Sequence, residues 1–254
     1  LLAFSVLFNW LAMLERSAEP YVHFGLFSSD KGQAEEAIVQ FQKALALRPD
    51  NADAHQSLGM TLLRQGKAPE GFGHLEESIR LKPDFAEAHN NLGVALFEVD
   101  RLPEAAGHLE QVLRLKPEDV EVHNNLAVAL FQLGQVSAAI GHYEQALRLK
   151  PGYAAAANDL AWILATETNA VIRNVDEALQ WAQRACELTT NQVAGYLDTL
   201  GVAYSEAGRF KEAVEVTERA AASAQRALAE ARARGVLVRI VFDERNAGEL
   251  KEMR

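Results

Sequence analysis

The sequence predicts an all-α fold: a right-handed superhelix, or solenoid, of six helical pairs closed by a carboxy-terminal capping helix. Three observations carry that expectation. Pro49, Pro83, Pro117 and Pro151 stand 34 residues apart. Phe24, Leu58, Leu92, Leu126 and Leu160 keep the same interval, and so do Pro69 and Pro103. A period in the range of roughly 20–50 residues is the signature of stacked units, each contacting only its neighbours.

The elements follow in order. Residues 1–14 read LLAFSVLFNWLAML, with Ser5 and Asn9 the only polar side chains. A membrane-spanning helix needs about 20 apolar residues. Three readings of this run stay open: part of a span or anchor, an apolar helix docking on the first repeat or on another protein, and the remnant of a signal peptide. Four regular units are expected at 18–51, 52–85, 86–119 and 120–153, each with two helices, A and B. In the third, helix A covers about 86–99 and helix B about 103–115. Pro69 and Pro103 open helix B in its first turn, where a missing N–H costs nothing. Gly32, Gly66 and Gly134 sit in the A–B turn, with Asp100 in their place in the third unit. The four period-setting prolines stop helix B, each after a Lys or Arg suited to a helix C-terminus.

The fifth unit, 154–192, has a five-residue insertion within TETNAVIRNVDEA. The sixth, 193–222, contains YLDTLGVAYSEAGRFKEAVEVTERA and returns to the pattern. Residues 223–254 are the expected cap and tail: QRALAEARARG is helical and basic, VLVRIVF at 236–242 is strand-like without an evident partner, and NAGELKEMR is a solvated tail.

Read along one unit, His89 stands in an aromatic slot, Leu92-Gly93 follows, then Leu96, Ala105 in a small slot, Leu109 in a large slot and Pro117 at the end. In spacing and residue type this resembles the tetratricopeptide repeat (TPR) family. The segment 158–220 also resembles the closing repeats of bacterial TPR proteins attached to O-mannosyltransferase-like membrane portions. The repeats are similar as well to the superhelix of O-linked N-acetylglucosamine transferases, although no glycosyltransferase domain is present in this sequence.

Composition bounds the function. A net charge of −10 argues against a general nucleic-acid binder, because phosphate contact needs basic surface. The single cysteine, Cys186, excludes an intramolecular disulfide. Six of the seven histidines recur in two repeat slots, His55, His89 and His123 in one and His74, His108 and His142 in the other. Equivalent residues on successive units stand too far apart to share one zinc ion. No P-loop, Gly-x-Gly-x-x-Gly or Gly-x-Ser-x-Gly motif occurs. The expectation is a non-enzyme with no cofactor and no metal.

Positions of helix A outside the packing stripe are expected to line a concave groove. They are Gln56, Met60 and Leu63 in the second unit, Asn90, Asn91, Val94 and Phe97 in the third, Asn124, Asn125, Val128 and Phe131 in the fourth, and Asn158 and Trp162 in the fifth. Carboxamides both donate and accept hydrogen bonds, so a row of them can hold a peptide backbone without reading its side chains. The resemblance to the O-GlcNAc transferase superhelix implies that use for Asn91 and Asn125, with Asn90, Asn124 and Asn158 as a second row. The other reading of these asparagines is structural, bonding the neighbouring helix.

The function expected is that of a binding scaffold taking a protein or extended peptide in its groove. It is expected to be membrane-associated through residues 1–14, with a lean to the extracytoplasmic side. Two alternatives stand beside it: the accessory portion of a membrane glycosyltransferase, and a self-assembling structural protein whose amino-terminal helix docks into a neighbour's groove.

Overall fold

A computed structural model describes residues 17–233. All regular structure among them is α-helical, in six antiparallel pairs. The chain divides into two compact units, Leu1–Pro151 and Gly152–Arg254.

The first unit holds four pairs. They are α1 (Glu19–Asp30) with α2 (Ala34–Leu47), α3 (Ala52–Arg64) with α4 (Ala68–Leu81), α5 (Ala86–Glu98) with α6 (Leu102–Leu115), and α7 (Val120–Gln132) with α8 (Val136–Leu149). The chain reverses in three residues between the partners of each pair, and the turn needs a left-handed residue. Gly32, Gly66 and Gly134 supply it at φ +73, +75 and +74°, and Asp100 at φ 62°. Two helix starts carry side-chain caps that the period alone does not announce. Asn51 Oδ1 accepts from the Ala54 N–H at 3.0 Å, and Asp119 Oδ1 from the Val122 N–H at 3.2 Å.

Within a pair, a small residue on A faces a larger one on B. A Cβ added at Gly59 would lie 2.9 Å from both the Gly71 carbonyl oxygen and Leu75 Cγ, so α3 and α4 meet backbone to backbone. At Gly93 the nearest atoms belong to the Leu109 side chain, at 3.1 Å. The core is therefore a row of small clusters, such as Leu75, Leu92, Leu96 and Ala105, which joins one pair to the next.

The second unit holds α9 (Ala154–Thr166) with α10 (Val175–Leu188), and α11 (Ala194–Glu206) with α12 (Phe210–Ala233). Between α9 and α10 the loop runs over 167–174; Asn174 ends it, its N–H donating to the Leu164 carbonyl at 2.9 Å and its Oδ1 capping α10. The expected capping helix is the continuation of the sixth B helix. In the slot where Pro49, Pro83, Pro117 and Pro151 stop earlier B helices the sixth has Gln225, so α12 runs for 24 residues.

The expectation of membrane association, on either side, is corrected. Among the described residues no helix is long and apolar enough to cross a membrane. The A helices and the first five B helices are set by the 34-residue period to about four turns each, and the longer α12 carries charges along its length. Residues 1–14, on which that expectation rested, lie outside the described residues, as does VLVRIVF at 236–242.

Candidate functional site

In the first unit the A helices place four of the expected groove residues around one hollow. Val94 and Phe97 from α5 and Asn125 and Val128 from α7 line a space of 220 Å³, floored by Leu109 of α6. Their convergence follows from the period: residues at i and i+34 are neighbours on adjacent A helices, and i, i+3 and i+4 share a face. Leu109, read from the sequence as a packing residue and fully buried, also lines the hollow.

The remaining groove positions of this unit divide between contact with neighbours and open surface. Gln56 is buried, and its Nε2 donates to Glu87 Oε1 at 3.1 Å, tying α3 to α5. Met60 and Phe97 pack half-buried against the Leu75–Leu92 cluster. Leu63 lies against Gly71, where an added Cβ would be 2.7 Å from Leu63 Cγ. Asn91 and Phe131 are half-buried. Asn90 and Asn124 have Oδ1 atoms that are buried without a hydrogen-bond partner. A buried acceptor left unpaired costs about 1–3 kcal/mol, so both oxygens are enclosed at a cost to the fold.

In the second unit Asn158 occupies the same slot. Its Oδ1 is likewise buried and unpartnered, while its Nδ2 donates to Asp159 Oδ1 at 3.1 Å. Trp162, one turn on, borders a wide cleft of 750 Å³ between α11 and α12, with Asp198, Val202, Phe210, Val214 and Glu218 among its walls.

The histidines form an arrangement that the sequence reading missed. The two slots meet inside each pair: Nδ1 of His55 lies 2.9 Å from Nδ1 of His74, His89 stands 2.9 Å from His108, and His123 3.0 Å from His142. The constant separation of 19 residues was the signal available. The Nε2–H of His55, His89 and His123 donates to the carbonyls of Pro49, Pro83 and Pro117 at 3.0, 3.1 and 2.9 Å. Neutral imidazole has one N–H, so Nδ1 of each A-helix histidine must accept and its B-helix partner must donate. Every pair thus ties the end of the preceding segment to two helices. Among the described residues no three His, Cys, Asp or Glu side chains converge to hold a metal.

Burial, and then the charge of the paired ring, hold His74, His108 and His142 below the usual histidine range. Glu70 and Glu77 oppose the shift at His74, Glu104 at His108 and Glu110 at His142. A depressed folded-state value means that the unfolded chain binds protons first as pH falls. These pairs therefore contribute their stability fully above about pH 6.5, and it is lost as pH drops through the folded-state values. We expect the melting temperature to fall between about pH 7.5 and pH 5.5, and the triple variant His74→Gln, His108→Gln, His142→Gln to flatten that dependence. Equal pH dependence in variant and parent would rule the pairs out as its source.

Cys186 carries no nucleophile chemistry. It is buried, its Sγ–H donates to the Tyr196 carbonyl at 3.3 Å, and burial pushes its pKa up to about 11.

Comparison with known proteins bears on the repeats. A tetratricopeptide repeat model matches residues 58–120, 91–154 and 124–192; a second TPR model matches 29–66, and a third 193–231. Many solved structures are similar. PilF of Pseudomonas aeruginosa aligns at 24% identity over 78% of this chain and 88% of its own, with a TM-score of 0.66. PilW, described as a widely conserved type IV pilus biogenesis factor, aligns at 17% identity over 78% of this chain and 90% of its own, with a TM-score of 0.64. YrrB, described as a TPR protein with an unusual peptide-binding site, aligns at 20% identity over 72% of this chain and 92% of its own, with a TM-score of 0.62. At these identities the likeness is one of fold. No curated protein matches the sequence.

Proposed function

This chain belongs to the tetratricopeptide repeat family, a non-catalytic scaffold for protein or peptide binding, and from that premise we propose that its first unit holds an extended peptide along the A helices α5 and α7. The observation that carries the reading is the apolar hollow between the two helices, lined by Val94, Phe97 and Val128 with the Asn125 carboxamide beside them. Asn91 and Asn125 extend the carboxamide face, and Asn125 itself lines the hollow with Val94, Phe97 and Val128. An apolar side chain of the peptide fills that hollow and the carboxamides hold its backbone. Buried apolar anchors ringed by polar groups are the usual source of binding energy. The peptide-binding site described for YrrB is in keeping with this reading.

The test uses the tightest ligand from a random-peptide display selection, titrated against the full chain. Each neutral hydrogen bond is worth about 0.5–1.5 kcal/mol. Asn91→Ala with Asn125→Ala should therefore weaken binding about 5- to 100-fold while leaving the thermal melt in place. Double variants that melt early yet bind normally once folded would assign the asparagines to the superhelix alone. The narrower role of an accessory array for a glycosyltransferase gains no observation, and a filament built through residues 1–14 rests on residues outside those described.

A further inference from the structure

We propose that copies of this chain associate head to tail, α1 of one copy seating on the α11–α12 face of the next. The surfaces involved are the two ends of the array, and the proposal is independent of the peptide site.

At the first end, Phe24 and Phe27 are 49% and 55% exposed, their rings 6.3 Å apart. The slot of Phe24 is occupied in later A helices by Leu58, Leu92, Leu126, Leu160 and Leu200, none more than 5% exposed. The slot of Phe27 holds Thr61, Ala95, Ala129, Ile163 and Ala203, none more than 7% exposed. What buries those residues is the helical pair before them, which α1 lacks among the described residues. At the other end, Val214 is 57% exposed, while its counterparts Ile38, Ala106 and Leu179 are buried under the A helix that follows. Thr217 is exposed where Phe41, Leu75, Leu109 and Tyr143 are buried. Phe210, one turn before Val214, is 67% exposed.

Terminal repeats that stay in water carry a polar outer face. Here the first end presents two phenylalanines and the last a Phe–Val stripe bordering a 750 Å³ cleft, the seat that a seventh A helix would occupy. Each face is what the repeat elsewhere buries against the other, so the occupant that fits both is a second copy. Charge agrees. The cleft is lined by Asp198 and Glu218 with no basic side chain, and Lys31 Nζ lies 5.6 Å from the Phe27 ring. Because the two faces differ, the contact is heterologous and propagates into a ring or an open chain of copies.

The test is sedimentation equilibrium of the full chain. The mass should rise with concentration above the 27.9 kDa of one copy. Phe24→Asp with Phe27→Asp removes one face, and Phe210→Asp with Val214→Asp the other. Each variant alone should stay at single-chain mass with an unchanged melt, since the side chains are exposed. The two mixed in equal amounts should give a two-chain species and nothing larger, because only one competent contact remains. If an aspartate variant melts early, the serine versions of the same positions replace it. A parent that stays single-chain at every concentration would overturn the proposal, assigning the faces to residues 1–16, to residues 234–254 or to a different protein. A variant that still pairs with itself would overturn it equally, since that needs a symmetric contact.

Discussion

Phe41→Ala should cost about 3–5 kcal/mol, the largest loss expected of a single substitution in this chain. The ring is fully buried and joins three helices. It leans on Gly25 of α1, where an added Cβ would fall 2.6 Å from Cε1, and it clusters with Ala37 and Ile38 of its own helix and with Leu58 and Leu62 of α3. Truncation leaves a ring-sized void that the stiff helices can close only in part. In a repeat array, stability is a sum of units and of interfaces between neighbours. The damage should stay local: amide protons of α1 and α2 should exchange much faster, with those of α7 and α8 nearly unchanged. A uniform loss across the first unit would show that its four pairs unfold as one block. Gly25→Ala on its own should also destabilise. Combined with Phe41→Leu it should recover part of the loss, because a Cβ added opposite a leucine in this slot, as at Gly93 against Leu109, would stand 3.1 Å away where against the Phe41 ring it stands 2.6 Å away.

Ala105→Leu should destabilise by about 1–3 kcal/mol for the opposite reason. Ala105 is fully buried on α6, and its carbonyl oxygen would stand 3.3 Å from a Cβ at Gly93. The added methylenes have nowhere to go except between α5 and α6, so the pair must part or the new side chain must leave its rotamer. Gly107→Ala, two residues on, is the contrast. An added Cβ there meets nothing within 4 Å, and the helix gains about 0.8–1.0 kcal/mol of propensity. Urea unfolding of the two variants should move the midpoint in opposite directions. A midpoint for Ala105→Leu equal to the parent's would mean that this slot is not the A–B contact.

Much of the fold was legible because a period of 34 is a one-dimensional signal. The prolines mark where B helices stop, the glycines mark the left-handed turn residue, and the Leu-Gly and Ala slots mark which faces meet. Each of these is a local requirement of backbone geometry or of side-chain volume, so single residue types carry it. The same logic left Asp100 recognisable, since an aspartate tolerates φ 62° where its counterparts are glycine.

The candidate site was legible only in outline. The expected groove residues Val94, Phe97, Asn125 and Val128 do surround one hollow, but Leu109 beneath them and the apposition of His55 with His74 depend on how two helices cross. So does the division among Gln56, Leu63 and Asn90, which the pattern treats as alike. Gln56 reaches Glu87, Leu63 is drawn against Gly71, and Asn90 keeps an unpaired oxygen.

The sequence by itself determined which residues face another helix, because periodicity reports burial averaged over a turn. Only the tertiary structure decided which partner each buried group finds, and where none follows it. A hydrogen bond or a sub-van-der-Waals contact turns on distances of a few tenths of an ångström between segments some 20–35 residues apart, and Phe24, Phe27 and Val214 sit in core slots yet are open because no helix among the described residues covers them.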